Sequence, residues 1–402
     1  MRLRVLLAAV AAVALSAAAA DAQSSGPVKI GVLNDMSSLY ADIGGKGSVI
    51  AAQMAADDAG KVLGQKVQVV SADHQNKPDV GSAIARKWYD EEGVDVITDV
   101  PTSSVALAVN EVAREKHKIA LIVGAATSDL TGPKCSPYTA HWVYDTYALA
   151  HVTGSAVVKS GGKTWYFITA DYAFGHALER DTAAVVEAAG GKVVGNVNVP
   201  LNTPDFSSYL LQAQASKANI IGLANAGGDT INSIKQGAEF GIVQGGQKFA
   251  ALLVFISDVH SLGLKTAQGL QLASPFYWDL NDQTRAFSKR FAAKAGHPPT
   301  FDQAGVYSAV AHYLKAVKAI GTKDPDKVMA EMRKLPINDF MTKNGKLRAD
   351  GRVIRPMYLF EVKKPSESKG PWDYYKLIET VPGDQAFRPI DKGGCPLVAK
   401  KG

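Results

Sequence analysis

Residues 94–104 read Val94-Asp95-Val96-Ile97-Thr98-Asp99-Val100-Pro101-Thr102-Ser103-Ser104, and after a stretch that fits a helix over 103–115 comes Ile119-Ala120-Leu121-Ile122-Val123. The two apolar runs are short and rich in β-branched residues, as strands covered on both faces are. Together they make one strand–helix–strand unit. The unit decides the fold because its rhythm continues on both sides.

Upstream, Val28-Lys29-Ile30-Gly31-Val32-Leu33 predicts a strand. Residues 45–59 predict a helix, with Val49, Ile50, Met54, Ala55 and Ala59 at helical spacing; 67–70 and 80–91 follow as strand and helix. Units of about 25 residues in this order predict parallel βαβ topology. Downstream the rhythm breaks over 136–147, which reads as a long loop. It restarts with helix 149–159, strand 165–169, helix 175–189, strand 193–199, helix 206–215, strand 220–224, helix 229–240 and strand 249–256. Residues 270–278 read as an apolar crossing. Helices at 284–295, 303–320 and 326–334 and strands at 356–362 and 374–380 complete the chain. The expected fold class is α/β: two lobes with parallel sheets joined by three crossings, 27–144 with 279–350 and 145–278 with 351–402. Right-handed crossovers place the strand carboxyl ends on one edge, where ligands of such sheets bind.

The length of 402 residues suits two or three domains of roughly 150 residues. With 47% hydrophobic and 20% charged residues the composition is globular, not disordered. Only residues 1–22 approach the ~20 apolar residues of a membrane span, so a polytopic membrane protein is excluded. Arg2 and Arg4, the apolar run 6–15 and Ala20-Asp21-Ala22 predict a secretory leader cleaved near Ala22, with a retained membrane anchor as the other reading. No cysteine follows the apolar run to take a lipid. The net charge of +6 falls to +5 once two arginines and one aspartate leave with the leader. The lysines form no stripe, so nucleic acid is not an expected partner. Cys135 and Cys395 are the two cysteines; an exported chain would pair them, and two separate free thiols are the alternative.

Motifs for catalysis are missing. There is no G-x-x-x-x-G-K-[ST] and no G-x-S-x-G. Gly44-Gly45-Lys46-Gly47-Ser48 follows a strand and opens a helix, but Ile50 stands where a dinucleotide fingerprint needs its third glycine. No two of the eight histidines are three or four apart, which leaves one-turn metal pairing unsupported. No catalytic residue, cofactor or metal is therefore expected.

The βα loops carry the remaining signal. Thr102-Ser103-Ser104 and Ala125-Ala126-Thr127-Ser128 put hydroxyls and free N–H groups at one sheet edge, where a carboxylate could be cradled; plain helix capping explains the same residues. Asp171-Tyr172-Ala173-Phe174-Gly175, Asn225-Ala226-Gly227-Gly228-Asp229-Thr230 and Ser257-Asp258 add rings and carboxylates from the second lobe. Rings offer apolar area and a carboxylate can pair an ammonium. Inter-lobe packing of Tyr172 and Phe174, and capping by Asp229 and Asp258, are the alternatives.

These motifs, in this order and spacing across nearly all of the chain beyond the leader, resemble the type I periplasmic solute-binding proteins of ABC importers, most closely the branched-chain (Leu/Ile/Val-type) amino acid group. The resemblance implies two Rossmann-like lobes that close on a small carboxylate, a periplasmic location, and partners in a membrane permease and its ATPases. It implies a carboxylate site at Thr102 or Ser103 with Ala125 and Thr127. It also implies a side-chain pocket at Tyr40, Tyr172 and Phe174, and an amino-end site at Asp229 and Asp258. Amino-acid binders of this group often carry a glutamate near Ser257-Asp258, which Asp258 matches only approximately, and some relatives with a similar Asp-Tyr-x-Phe-Gly and Asn-x-Gly-Gly-Asp pattern take aromatic or other carboxylates without an amino group, so the resemblance implies either ligand class. A disulfide between Cys135 and Cys395 is similar to one in this branch. A monomer is expected. A sensor of the same fold, feeding a receptor or regulator, is the alternative function.

Overall fold

The computed structural model describes residues 26–398; the expected leader lies outside them. The first half contributes β1 (Lys29–Asn34), α1 (Gly45–Ala59), β2 (Gln68–Asp73), α2 (Pro78–Asp90), β3 (Val96–Asp99), α3 (Ser103–Lys116), β4 (Ile119–Ile122) and β5 (Thr139–His141). Its five strands form one parallel sheet in the order β2-β1-β3-β4-β5. Side chains alternate across it. Ile30, Val32, Val96 and Leu121 pack with Ala51 and Met54 of α1, whereas Leu33, Ile97 and Ile122 pack with Trp88 of α2 and Val105 and Val109 of α3. Burying each such aliphatic side chain is worth about 1.5–3 kcal/mol. With both faces covered, the strands read as continuous apolar runs.

The second body holds β6 (Thr164–Ala170), α4 (Ala173–Ala188), β7 (Lys192–Val199), α5 (Ser207–Ala215), β8 (Ile220–Ala224), α6 (Gly228–Glu239), β9 (Lys248–Ala251), α7 (Ile256–Leu262) and β10 (Gln271–Ser274). Strands β6–β9 form a parallel sheet in the order β9-β8-β6-β7. The chain then returns to the first sheet through α8 (Asp282–Ala295), α9 (Phe301–Ile320) and α10 (Pro325–Lys334), with α9 lying along α1. Finally β11 (Met357–Val362) pairs antiparallel with β10, and β12 (Tyr375–Val381) pairs antiparallel with β11, in the order β10-β11-β12. The chain thus passes between the two parallel sheets three times, over 142–163, 275–281 and 348–356.

Three readings need correction. Residues 136–147 are not one long loop: Thr139–His141 is a strand of the first sheet, too short and too polar to show as an apolar run. The strand expected at 249–256 ends at Ala251, and Ile256 opens a helix, so Ser257-Asp258 lies in a first helical turn rather than beyond a strand. The tail, expected with the second lobe, turns back to the first sheet's side. There Arg388 Nη2 donates to Ser128 O (2.9 Å) and Cys395 is bonded to Cys135 across 260 residues. A loop of that length gains about 5 kcal/mol from the cross-link in the chain-entropy picture.

Candidate functional site

In both parallel sheets the chain turns to opposite sides after its first strand, between β1 and β3 and between β6 and β8. Side chains beyond the carboxyl ends of such strands surround a crevice. A small cavity lies there, lined by Tyr40, Ile43, Pro101, Gly124, Ala126, Tyr144, Tyr172, Phe174, Ala226, Leu253 and Phe255. Each lining residue follows the carboxyl end of a strand: β1, β3, β4 and β5 supply the first six, and β6, β8 and β9 supply the other five.

The two halves are closed on each other. Tyr40 Oη and Tyr172 Oη are 2.6 Å apart. Gly227, with φ of 57°, brings the β8 loop so near Leu39 O that a Cβ there would stand 2.9 Å from it. A glycine adopts that backbone and that approach at little cost. Farther along the seam Ser128 Oγ donates to Asp181 Oδ2 (2.7 Å), and Arg180 pairs with Asp129 at 3.2 Å.

The wall is mostly ring and aliphatic surface, and its lining residues include no cationic side chain. Its polar groups are phenols. Burial raises the pKa of Tyr40 and of Tyr172, and the nearby Asp229 charge adds to both. Both therefore stay protonated at neutral pH. Their mutual bond uses one hydroxyl proton, which leaves the other free to donate to an anionic or carbonyl oxygen. Tyr144 Oη donates to Gly124 O (2.6 Å).

Of the residues singled out from sequence, Tyr40, Tyr172 and Phe174 line this cavity. The others lie around it with their groups engaged inside the protein. Thr102 Oγ1 donates to Asn76 Oδ1. Ser103 Oγ accepts from Ala126 N (3.3 Å) and Thr127 N (3.2 Å), so it occupies the two N–H groups of the expected cradle. Thr127 Oγ1 accepts from Asp129 N (3.4 Å), and Ala125 O is 2.7 Å from His141 Nε2. The second-half carboxylates hold backbone. Asp229 accepts from Asn202 N (3.0 Å) and Thr203 N (3.1 Å), and Asp258 Oδ2 accepts from Phe255 N (2.8 Å). Burial raises Asp229 to about 6 and Asp258 to about 7, each partly offset by those bonds. Sequence reading missed Tyr144 and Phe255. The first was hidden in the apparent loop and the second in the overlong strand, although an aromatic just beyond a strand's end was the available signal. Among the described residues no cluster of three or more His, Cys, Asp or Glu could hold a metal ion, and no helix is long and apolar enough to cross a membrane.

Comparison with known proteins agrees with this architecture. The family model for the periplasmic binding proteins matches residues 27–370. A crystal structure of a periplasmic binding protein from Burkholderia mallei is 55% identical, with a TM-score of 0.91, covering 92% of this chain and 99% of that one. A branched chain amino acid ABC transporter periplasmic ligand-binding protein from Burkholderia xenovorans is 46% identical with a TM-score of 0.82 over the same shares. The Leu/Ile/Val-binding protein homolog 4 of Brucella melitensis is 26% identical over 419 residues, 98% of each chain. This chain belongs to the periplasmic binding protein family.

Proposed function

We propose that this protein is the periplasmic, non-enzymatic binding component of an ABC importer. It captures a small carboxylate, either a branched-chain or other hydrophobic amino acid or an aromatic acid, and delivers it to a permease driven by partner ATPases. The observation that carries this reading is the cavity closed from both sheets by residues at strand carboxyl ends. Rings of Tyr40, Tyr144, Tyr172, Phe174 and Phe255 would cover the solute's apolar body, and the spare phenolic proton would meet its carboxylate. Rotation of Ser103 would release the Ala126 and Thr127 N–H groups for the same oxygen atoms. The names of the Burkholderia xenovorans and Brucella relatives favour the same solute class.

The moving bodies in this reading are the two sheets with their helices, hinged at the three passages, in a monomer. A solute that touches both halves favours the closed form by its differential affinity alone. The test is a thermal-shift screen of amino acids and of aromatic and aliphatic acids. A true ligand at a hundredfold excess over its Kd stabilises the fold by about 2.7 kcal/mol, so a clear rise in Tm is expected from some member. A screen with no rise at all would defeat the proposal.

A further inference from the structure

Ser128 joins three parts of the molecule at one point. It opens the short turn Ser128–Thr131 between β4 and β5 and is fully buried. Each of its polar atoms is engaged with a different partner. Its backbone N donates to Thr146 Oγ1 (3.0 Å) in the first passage. Its Oγ donates to Asp181 Oδ2 (2.7 Å) on α4 of the second body and accepts from Arg180 Nη2 (2.9 Å). Its carbonyl accepts from Arg388 Nη2 (2.9 Å) in the returning tail. The next residue, Asp129, pairs with Arg180 at 3.2 Å, and Arg180 Nε also reaches Asp181 Oδ1 (3.1 Å). None of Ser128, Asp129, Arg180 and Asp181 lines the cavity.

The stretch that carries Ser128 is fastened to the first sheet. Asn110 on α3 donates to Lys134 O (3.0 Å) and accepts from Thr139 Oγ1 of β5 (2.6 Å). The tail fastens it a second time. After β12 the chain lies against the third passage, where a Cβ on Gly383 would stand 2.6 Å from Arg355 O. Arg348 Nη1 donates to Arg388 O (2.9 Å), and the disulfide joins Cys395 to Cys135. Gly132 and Gly393 let the two backbones touch: a Cβ on Gly132 would stand 2.8 Å from Gly393 O. The tail therefore starts on the second body, follows the hinge and ends on the turn that meets α4.

Hinged opening would pull these contacts apart unevenly. Thr146 sits in the hinge itself and bonds Asp181 Oδ2 (2.6 Å), so it can keep that partner. Ser128 and Asp129 are tied to the first sheet and must leave α4. The bond from Ser128 to the Asp181 carboxylate is charge-assisted, the stronger kind of hydrogen bond. The Asp129–Arg180 pair is more exposed and adds less.

We propose that Ser128, with Asp129, is a closure latch separate from the solute wall, and that the disulfide-anchored tail is the strap that holds it in register with Asp181 and Arg180. The latch sets how much of the protein is closed before any solute arrives. This rests on the hinged-capture reading above and adds a control on it from outside the cavity.

The test uses the full-length exported protein without solute. Asp79→Cys and Gln212→Cys place spin labels on exposed positions, one on each half, and double electron–electron resonance reads the distances between them. With no other change, two separations are expected, the closed one holding about 10% of the molecules or more. Ser128→Ala is expected to lower the closed-to-open ratio about tenfold, as for a lost hydrogen bond to a charged group. Cys135→Ser with Cys395→Ser leaves every latch atom in place and is expected to lower the same ratio at least ~threefold, within the range by which remote contacts shift coupled equilibria. Arg388→Ala keeps the disulfide and replaces that variant if it does not fold. An absent closed population in the labelled parent overturns the latch and leaves solute-driven capture standing. An unchanged ratio in Ser128→Ala, or in the tail variant, overturns it in the same way. A single closed separation in every protein overturns the latch and the hinged-capture reading together.

Discussion

Replacing Arg352 by alanine is expected to cost about 3–5 kcal/mol of stability, the usual penalty for leaving one member of a buried ion pair alone. Arg352 is fully buried in the third passage between the sheets. Its Nη1 donates to Tyr144 O (2.7 Å) and faces Asp145 Oδ2 at 3.4 Å, both in the first passage. Its guanidinium lies 4.8 Å from the ring centre of Phe387 in the returning tail. One side chain thus joins two passages and the tail. Burial lowers its pKa to about 10, still well above neutral, so it is charged where it sits. Removing it would strand Asp145, whose own pKa burial already raises. Urea unfolding of the alanine variant measures the effect directly. A change below about 1 kcal/mol would mean that the passages are held by backbone and packing alone.

Tyr172→Ala is expected to weaken the solute identified by thermal shift at least ~30-fold, the loss associated with a central aromatic anchor of ~2 kcal/mol or more. The ring covers the cavity from the second sheet, lies 5.9 Å from Phe174 centre to centre, and bonds Tyr40 across the closure. The alanine variant would lose apolar cover, the inter-sheet bond and a donor together. Tyr172→Phe keeps the ring and removes the hydroxyl. It is expected to lose only about tenfold or less, in line with about 1 kcal/mol for a neutral hydrogen bond. Calorimetric titration of both variants separates the contributions. An alanine variant with unchanged affinity would place the solute elsewhere.

Much of the architecture was legible because two-sided burial leaves a plain mark. Gly45–Ala59 and Ile220–Ala224 end where the apolar pattern ends. The errors came where that mark fades. Thr139–His141 contributes three residues to the sheet and holds its place by pairing with β4, a contact that no local window contains. Phe249 to Ile256 is one apolar run, yet its strand stops at Ala251, since composition alone does not separate a strand from the buried turn that follows. For the site, aromatics after strand ends were readable, and Tyr40, Tyr172 and Phe174 are in the wall. Hydroxyls and carboxylates were less so. Ser103, Asp229 and Asp258 are as well suited to hold nearby N–H groups as to hold a solute, and in this closed form they hold the N–H groups.

Crystallising the protein with the solute that raises its Tm most would examine the closure mechanism at its source. The expected result is density between Tyr40 and Tyr144 on one side and Tyr172 and Phe255 on the other, with Tyr40 and Tyr172 still within hydrogen-bond reach of each other or of the solute. Density at any other place, or in a cleft whose far wall stays out of contact, would contradict capture by closure.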